Sequence, residues 1–130
     1  MQMQTRLGLL VTAVVVMSAS PAAAQDASKL PAGMTPAMIA KGKTIFTSTG
    51  LCFACHGMDA KGLVGPNLTD TTWIHGTGSW PDIIQIVTKG IPVEETKTGK
   101  GAMPPKGGSQ ISEDDVKAVA AYVWSLSHPT

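Results

Sequence analysis

The sequence has almost no net charge, only two cysteines, and no long hydrophobic run beyond its N-terminus. Of its 130 residues, 10 are Lys or Arg and 9 are Asp or Glu. The part of the chain that follows the leader described below is formally neutral, which argues against nucleic acid as a partner. No later run is long and apolar enough to cross a bilayer, so we expect no membrane span in the mature chain.

The first 24 residues have the composition of an export signal. Arg6 precedes the apolar run Leu7 to Met17, and small residues at Ala22 and Ala24 come just before Gln25. This order is typical of a signal peptide, and it predicts removal of residues 1–24 and a periplasmic location. An uncleaved membrane anchor is the alternative, although the run falls short of the ~20 residues that span a bilayer.

The remaining residues predict one domain. Residues 25–34 are rich in Ala, Ser, Pro and Gly and are expected to be a flexible lead-in to a domain at 35–130. About 106 residues can form one compact unit, but its hydrophobic core is marginal without a cofactor, a metal or a crosslink.

Three helices are predicted in that domain. Thr35, Ser79 and Ser112 each precede a segment with apolar residues at helical spacing, and these types cap helix N-termini. Gly- and Pro-rich loops over 57–72 and 91–110 join the helices. Loops of this length are usually functional, and these contain too few apolar residues to form a core, so we expect them to wrap a large apolar cofactor.

The string Cys52-Phe53-Ala54-Cys55-His56 carries the most specific chemistry. C-x-x-C-H is the attachment motif of c-type haem, because two thiols on one helical turn reach the two vinyl groups of a porphyrin and the adjacent His reaches the iron. A redox dithiol would need a βαβ setting. A zinc site would need two of His56, His75 and His128, which are irregularly spaced, and a Cys52–Cys55 disulfide would close a very small loop.

The sixth position of the iron decides between electron transfer and ligand chemistry. Met103, in the string Gly-Ala-Met-Pro, is the favoured sixth ligand, with His75 or an open position as alternatives. A ligating His usually donates its other ring N–H to a carbonyl, and Pro66 in Gly-Pro-Asn-Leu is well placed to accept it from His56. An ordinary turn is the alternative for that string.

A basic stretch adds a candidate docking surface. Lys89, Lys97, Lys100 and Lys106 fall close together, with two acidic residues among them. The stretch is interpreted either as a solvated loop or as a rim that favours partners with acidic faces.

Together these strings resemble class I cytochromes c over nearly all of residues 35–127. The resemblance rests on C-F-A-C-H, G-P-N-L, W-x-H-G, G-A-M-P and A-A-Y-V-W-S-L, and it is similar to the haem domains of cbb3-type oxidase subunits. It implies an all-α cytochrome c fold with three main helices around one haem c, ligated by His56 and Met103. It also implies that Pro66 accepts from His56, and that Trp73 or His75 contacts a haem propionate. Gly42 and Phe46 are expected to meet Tyr122.

The expected function is that of an electron carrier and not of an enzyme. The chain would pass single electrons between a dehydrogenase or quinol-oxidising complex and a terminal oxidase or reductase. It would act as a monomer or as a subunit of a redox complex. The alternatives are a fixed haem subunit of one oxidoreductase and a gas-binding or peroxidatic haem protein.

Overall fold

The structure, a computed structural model, describes residues 26–97 and 101–129. The predicted signal peptide lies outside them. These residues form four helices: α1 Pro36–Phe46, α2 Phe53–His56, α3 Trp80–Lys89 and α4 Glu113–Ser127. Short 3-10 turns occur at Ala27–Lys29, Val93–Glu95 and Pro105–Gly108. The described residues form no strand beyond one isolated bridge, so the all-α prediction is confirmed.

The three predicted caps begin the three long helices. The side chain of Thr35 accepts from the backbone N–H of Met38 at 3.2 Å, and that of Ser79 accepts from Asp82 at 3.4 Å. Ser112 and Asp115 form a reciprocal capping box at the start of α4. Each cap satisfies backbone donors that have no partner within the helix, which explains why these helices begin where the sequence predicts.

The core lies where α1 and α3 pack against α4. Gly42 allows α1 to approach very closely, because a Cβ on it would lie 2.6 Å from the carbonyl carbon of Ala118. Next to this crossing the rings of Phe46 and Tyr122 meet edge to face, with centroids 5.4 Å apart. The contacts expected for Gly42 and Phe46 with Tyr122 are therefore present.

The segment before α1 joins this core in part. Met34 is buried and Leu30 packs against the buried cluster. The indole Nε1 of Trp80 donates to the carbonyl of Lys117 at 3.1 Å, which ties α3 to α4. The long connections between the helices are left to line a cleft.

Candidate functional site

Helix α2 consists of the last four residues of the C-x-x-C-H string. Cys52 is its N-terminal flanking residue, and the backbone N–H of His56 donates to the Cys52 carbonyl at 3.0 Å. The helix ends at Gly57, whose φ of 82° no other residue adopts without strain. One turn of helix therefore fixes both cysteines and His56 relative to one another.

A hydrogen bond to the backbone orients the ring of His56. Its Nδ1 lies 2.9 Å from the carbonyl oxygen of Pro66. A carbonyl can only accept, so Nδ1 carries the proton and Nε2 keeps its lone pair. Gly65 makes room for the ring, since a Cβ there would lie 2.8 Å from Cε1 of His56. The arrangement presents Nε2 as a metal ligand with a fixed tautomer.

Burial also favours the ligand form of this histidine. His56 is 8% exposed. Loss of hydration lowers the pKa of His56 below its usual value, and the hydrogen bond to Pro66 raises it in part. The imidazole is therefore neutral at pH 7, as a metal ligand must be.

The two cysteines differ in their surroundings. Cys52 is half-buried, and burial raises the pKa of its thiol to about 11, while Cys55 is exposed. Neither is in a disulfide. Both line the same cleft as His56, so a single planar group in that cleft can be bonded to both sulfurs.

The cleft itself is large and mainly apolar. The empty space in it is about 1140 Å³, a figure that includes open solvent at its mouth. Side chains of α1, α3, α4 and the loops between them form its walls: Phe46, Leu68, Ile83, Ile86, Val87, Ile91, Val119 and Val123. Such walls suit a large, flat, apolar cofactor.

Met103 reaches the cleft from a clamped segment of backbone. The N–H of Ile91 donates to the Met103 carbonyl at 2.8 Å, and the N–H of Met103 donates to the Ile91 carbonyl at 2.9 Å. Gly90 lies against the same segment, because a Cβ on it would lie 2.2 Å from the Met103 carbonyl oxygen. The C-terminal end of α3 thus fixes the backbone of Met103, and with it the position of the thioether side chain.

Trp73 and His75 lie on a turn that also lines the cleft. The turn is anchored by Asp82 of α3, whose carboxylate accepts from the Thr77 backbone N–H at 2.8 Å and from its hydroxyl at 2.6 Å. These bonds lower the pKa of the Asp82 carboxyl below its usual range. The α3 N-terminus therefore fixes one wall of the cleft, as its C-terminus fixes the Met103 segment.

All seven predicted site residues line this one cleft. They are Cys52, Cys55, His56, Pro66, Trp73, His75 and Met103. Gly65 was predicted only as part of the Gly-Pro-Asn-Leu string, and the contact of Gly90 with the Met103 segment was not predicted, because a close backbone approach leaves no local signal in the sequence. Lys97 was noted only as part of a basic stretch, yet it also lines the cleft.

The zinc alternative is not supported by the placement of the histidines. His128 stacks on Trp124, with ring centroids 4.2 Å apart, and its Nδ1 is 2.9 Å from the Trp124 carbonyl. Within 26–97 and 101–129, no group of three or more His, Cys, Asp or Glu side chains is arranged to hold a metal ion. The donor set instead fits haem: two thiols, a neutral imidazole and a thioether around an apolar cleft.

Comparison of the sequence with known proteins identifies its family. The family described as cytochrome C oxidase, cbb3-type, subunit III, matches residues 37–123. The cbb3-type oxidase subunit CcoP of Rubrivivax gelatinosus is 41% identical over 93 residues, 71% of this chain and 27% of that protein. Subunit FixP of Rhizobium meliloti (strain 1021) is 34% identical over 107 residues, 80% of this chain and 33% of that protein. The chain thus spans a third or less of these relatives.

Solved structures agree on the fold. Cytochrome cL from Methylophaga aminisulfidivorans MPT superposes with a TM-score of 0.52 at 20% identity, covering 71% of this chain and 55% of that one. A reducing HAO-like protein complex from Kuenenia stuttgartiensis gives 0.58 at 22% identity, with 77% and 48% covered. The first of these supports a cytochrome c fold. The chain belongs to the cbb3-type cytochrome c oxidase subunit III family, and this membership together with the donor set of the cleft indicates a covalently bound haem c.

Proposed function

We propose that the chain is a single-haem electron-transfer domain whose haem is bonded to Cys52 and Cys55 and ligated by His56 and Met103. The observation that carries this proposal is the 2.9 Å contact between His56 Nδ1 and the Pro66 carbonyl. That contact leaves Nε2 of a neutral, buried imidazole available in a cleft that both cysteines and Met103 line. The haem iron supplies one-electron chemistry between its ferric and ferrous states.

The residues of the chain set how that chemistry runs. The Pro66 carbonyl keeps His56 oriented and raises its basicity. A thioether from Met103 favours the ferrous state more than a second imidazole would, which raises the reduction potential. His56 and Met103 would both hold the iron, and the haem so held would supply electron transfer and not substrate binding.

We infer that the domain works in the periplasm. The predicted export segment at residues 1–24 supports this location, whether it is removed or kept as an anchor. Within residues 26–97 and 101–129, no helix is long and apolar enough to cross a membrane.

The partners are redox proteins, and two arrangements are open. The domain either shuttles between a dehydrogenase or quinol-oxidising complex and a terminal oxidase or reductase, or stays bound as a haem subunit of one complex. The relatives are oxidase subunits by name, which favours the fixed subunit.

Voltammetry of the purified full chain, with its native haem, tests the proposed function. We expect a reversible one-electron wave, and no change in the ferrous spectrum when carbon monoxide is added. Carbon monoxide binding by the wild-type protein would contradict the carrier and favour the gas-binding alternative. Purification of the tagged chain from its native membranes then separates the two arrangements: recovery of oxidase subunits indicates a fixed subunit, and recovery of the chain alone indicates a shuttle.

A further inference from the structure

The cleft contains one unusual charge. Among its lining residues in the described part of the chain, Lys97 is the single formally charged side chain, and no carboxylate lines the cleft. The residue is exposed on the loop that follows α3. A lone ammonium on an apolar wall would gain more from a counter-ion than from apolar neighbours.

Lys97 is also positioned by a hydrogen bond to the turn that contains Trp73 and His75. Its Nζ donates to the carbonyl oxygen of Ile74 at 3.0 Å, across 23 residues of sequence. Ile74 lies between Trp73 and His75, so this bond ties the loop after α3 to the turn that those residues occupy. An ammonium has three donors, and one bond to Ile74 leaves donors for a further acceptor at the cleft.

The cofactor brings the matching charge. Haem carries propionate carboxylates, which must end in water or beside a donor when the ring enters an apolar cleft. We propose that Lys97 binds a haem propionate and thereby raises the reduction potential of this domain. The inference rests on the haem of the proposed function, and it assigns a cofactor-binding role to a residue outside the C-x-x-C-H, Gly-Pro-Asn-Leu and Gly-Ala-Met-Pro strings.

The sign of the effect follows from charge. The ferric centre is one charge more positive than the ferrous centre, so a nearby ammonium disfavours the ferric state. Removal of that ammonium lowers the reduction potential. The interaction lies at the surface, where water and salt weaken ion pairs, so the shift should shrink as ionic strength rises.

The test compares Lys97→Gln with Lys89→Gln in the full chain carrying its haem. Lys89 is exposed at the end of α3 and does not line the cleft, and its substitution changes the net charge equally. We expect the midpoint potential to fall in Lys97→Gln, to fall further in Lys97→Glu, and to return towards wild type in Lys97→Arg. Lys89→Gln should leave the potential unchanged.

Equal potentials for Lys97→Gln and Lys89→Gln, with both waves reversible, would overturn the role of Lys97 and leave the proposed function intact. A wild-type chain without covalent haem, or without a reversible wave, would instead contradict the proposed function. The control variant keeps these two failures apart, because it contains the same cofactor and the same net charge as Lys97→Gln.

Discussion

His56 illustrates how one hydrogen bond prepares a ligand. Its imidazole is buried, neutral at pH 7, and held with Nδ1 against the Pro66 carbonyl. The cost of burying the ring is offset because that nitrogen finds an acceptor. Nε2 remains without a proton, so a metal can bind it without first displacing one.

Asp115 is a second residue whose charge depends on its neighbours. Its carboxylate lies 2.7 Å from Nζ of Lys41 on α1 and accepts from the backbone N–H of Ser112. The Lys41 contact and the Ser112 contacts lower the pKa of Asp115 below its usual value. The pair links α1 to the start of α4.

The pH dependence of the free energy of unfolding should show the contribution of the Lys41–Asp115 pair. A carboxyl with a lowered folded-state pKa stabilises the fold above its unfolded pKa of about 3.9, and this contribution is lost as pH falls through the folded pKa. We expect the free energy of unfolding, measured by urea denaturation, to decrease less steeply below about pH 5 in Asp115→Asn than in the wild type. Glu94→Gln, at an exposed position after α3, is the control. Equal slopes for wild type and Asp115→Asn would contradict the role of the pair.

Among the helices, the crossing of α1 and α4 depends on Gly42. A Cβ there would lie 2.9 Å from Cβ of Tyr122 and would overlap the backbone of Ala118. Gly42→Ala should therefore force the helices apart.

We expect Gly42→Ala to lower the free energy of unfolding by about 1–3 kcal/mol, as overpacking does, even though Ala favours a helix by about 1 kcal/mol over Gly. Denaturant unfolding of the haem-loaded protein measures it. Lys43→Ala, on the exposed side of the same helix, should change stability by less than about 0.5 kcal/mol. An unchanged or raised stability for Gly42→Ala would show that the crossing tolerates a methyl group.

The end of α3 offers a matched pair of glycines. Gly90 has φ 71° and touches the Met103 segment, whereas Gly108 has φ 80° but its Cβ would lie 3.7 Å from Pro104, an ordinary contact. Alanine at either position pays a similar backbone strain of about 1 kcal/mol or more. Only at Gly90 would the added methyl group also overlap the Met103 carbonyl oxygen.

We expect Gly90→Ala to weaken the bond from Met103 to the iron, while Gly108→Ala keeps it. The measurement is carbon monoxide binding by the ferrous protein, together with the weak far-red absorption of ferric iron bound to a thioether. Gly90→Ala should bind carbon monoxide and lose that absorption. Identical spectra for the two variants would mean that Gly90 does not position Met103.

These elements also show what the sequence can predict. The helices that begin at Pro36, Trp80 and Glu113 were predicted because a cap and an apolar face are both local patterns. The bridge between Ile91 and Met103, and the approach of Gly90 to the latter, join residues from different segments. No short window of sequence contains both partners, so these contacts could not be read from it.

For the whole molecule, the arrangement of helices leaves an apolar cleft beside the core. The cleft receives Cys52, Cys55 and His56 from one turn and Met103 from another segment. The motif chemistry made these residues predictable, because few other functions need C-x-x-C-H. Lys97 was not predicted as a cofactor contact, since its role depends on which side chains share the cleft.

We expect a cofactor in the cleft to contribute to the stability of a domain of this size. The cleft walls include Phe46, Ile83 and Val119, which also belong to the buried core. Other apolar side chains of the cleft, among them Val64, Ile86 and Ile91, are partly or largely exposed, and filling the cleft would remove part of that surface from water. The matched region is a third or less of the relatives, so a domain of this kind also occurs within larger oxidase subunits.

The absorption spectrum of the purified protein, in wild type and Met103→Ala, tests the central claim most directly. We predict haem that stays attached to the polypeptide after denaturation in both proteins. The weak far-red band of iron bound to a thioether should be present in the ferric wild type and absent from Met103→Ala. A band that survives in Met103→Ala, or haem that is released on denaturation, would contradict the proposed attachment and ligation.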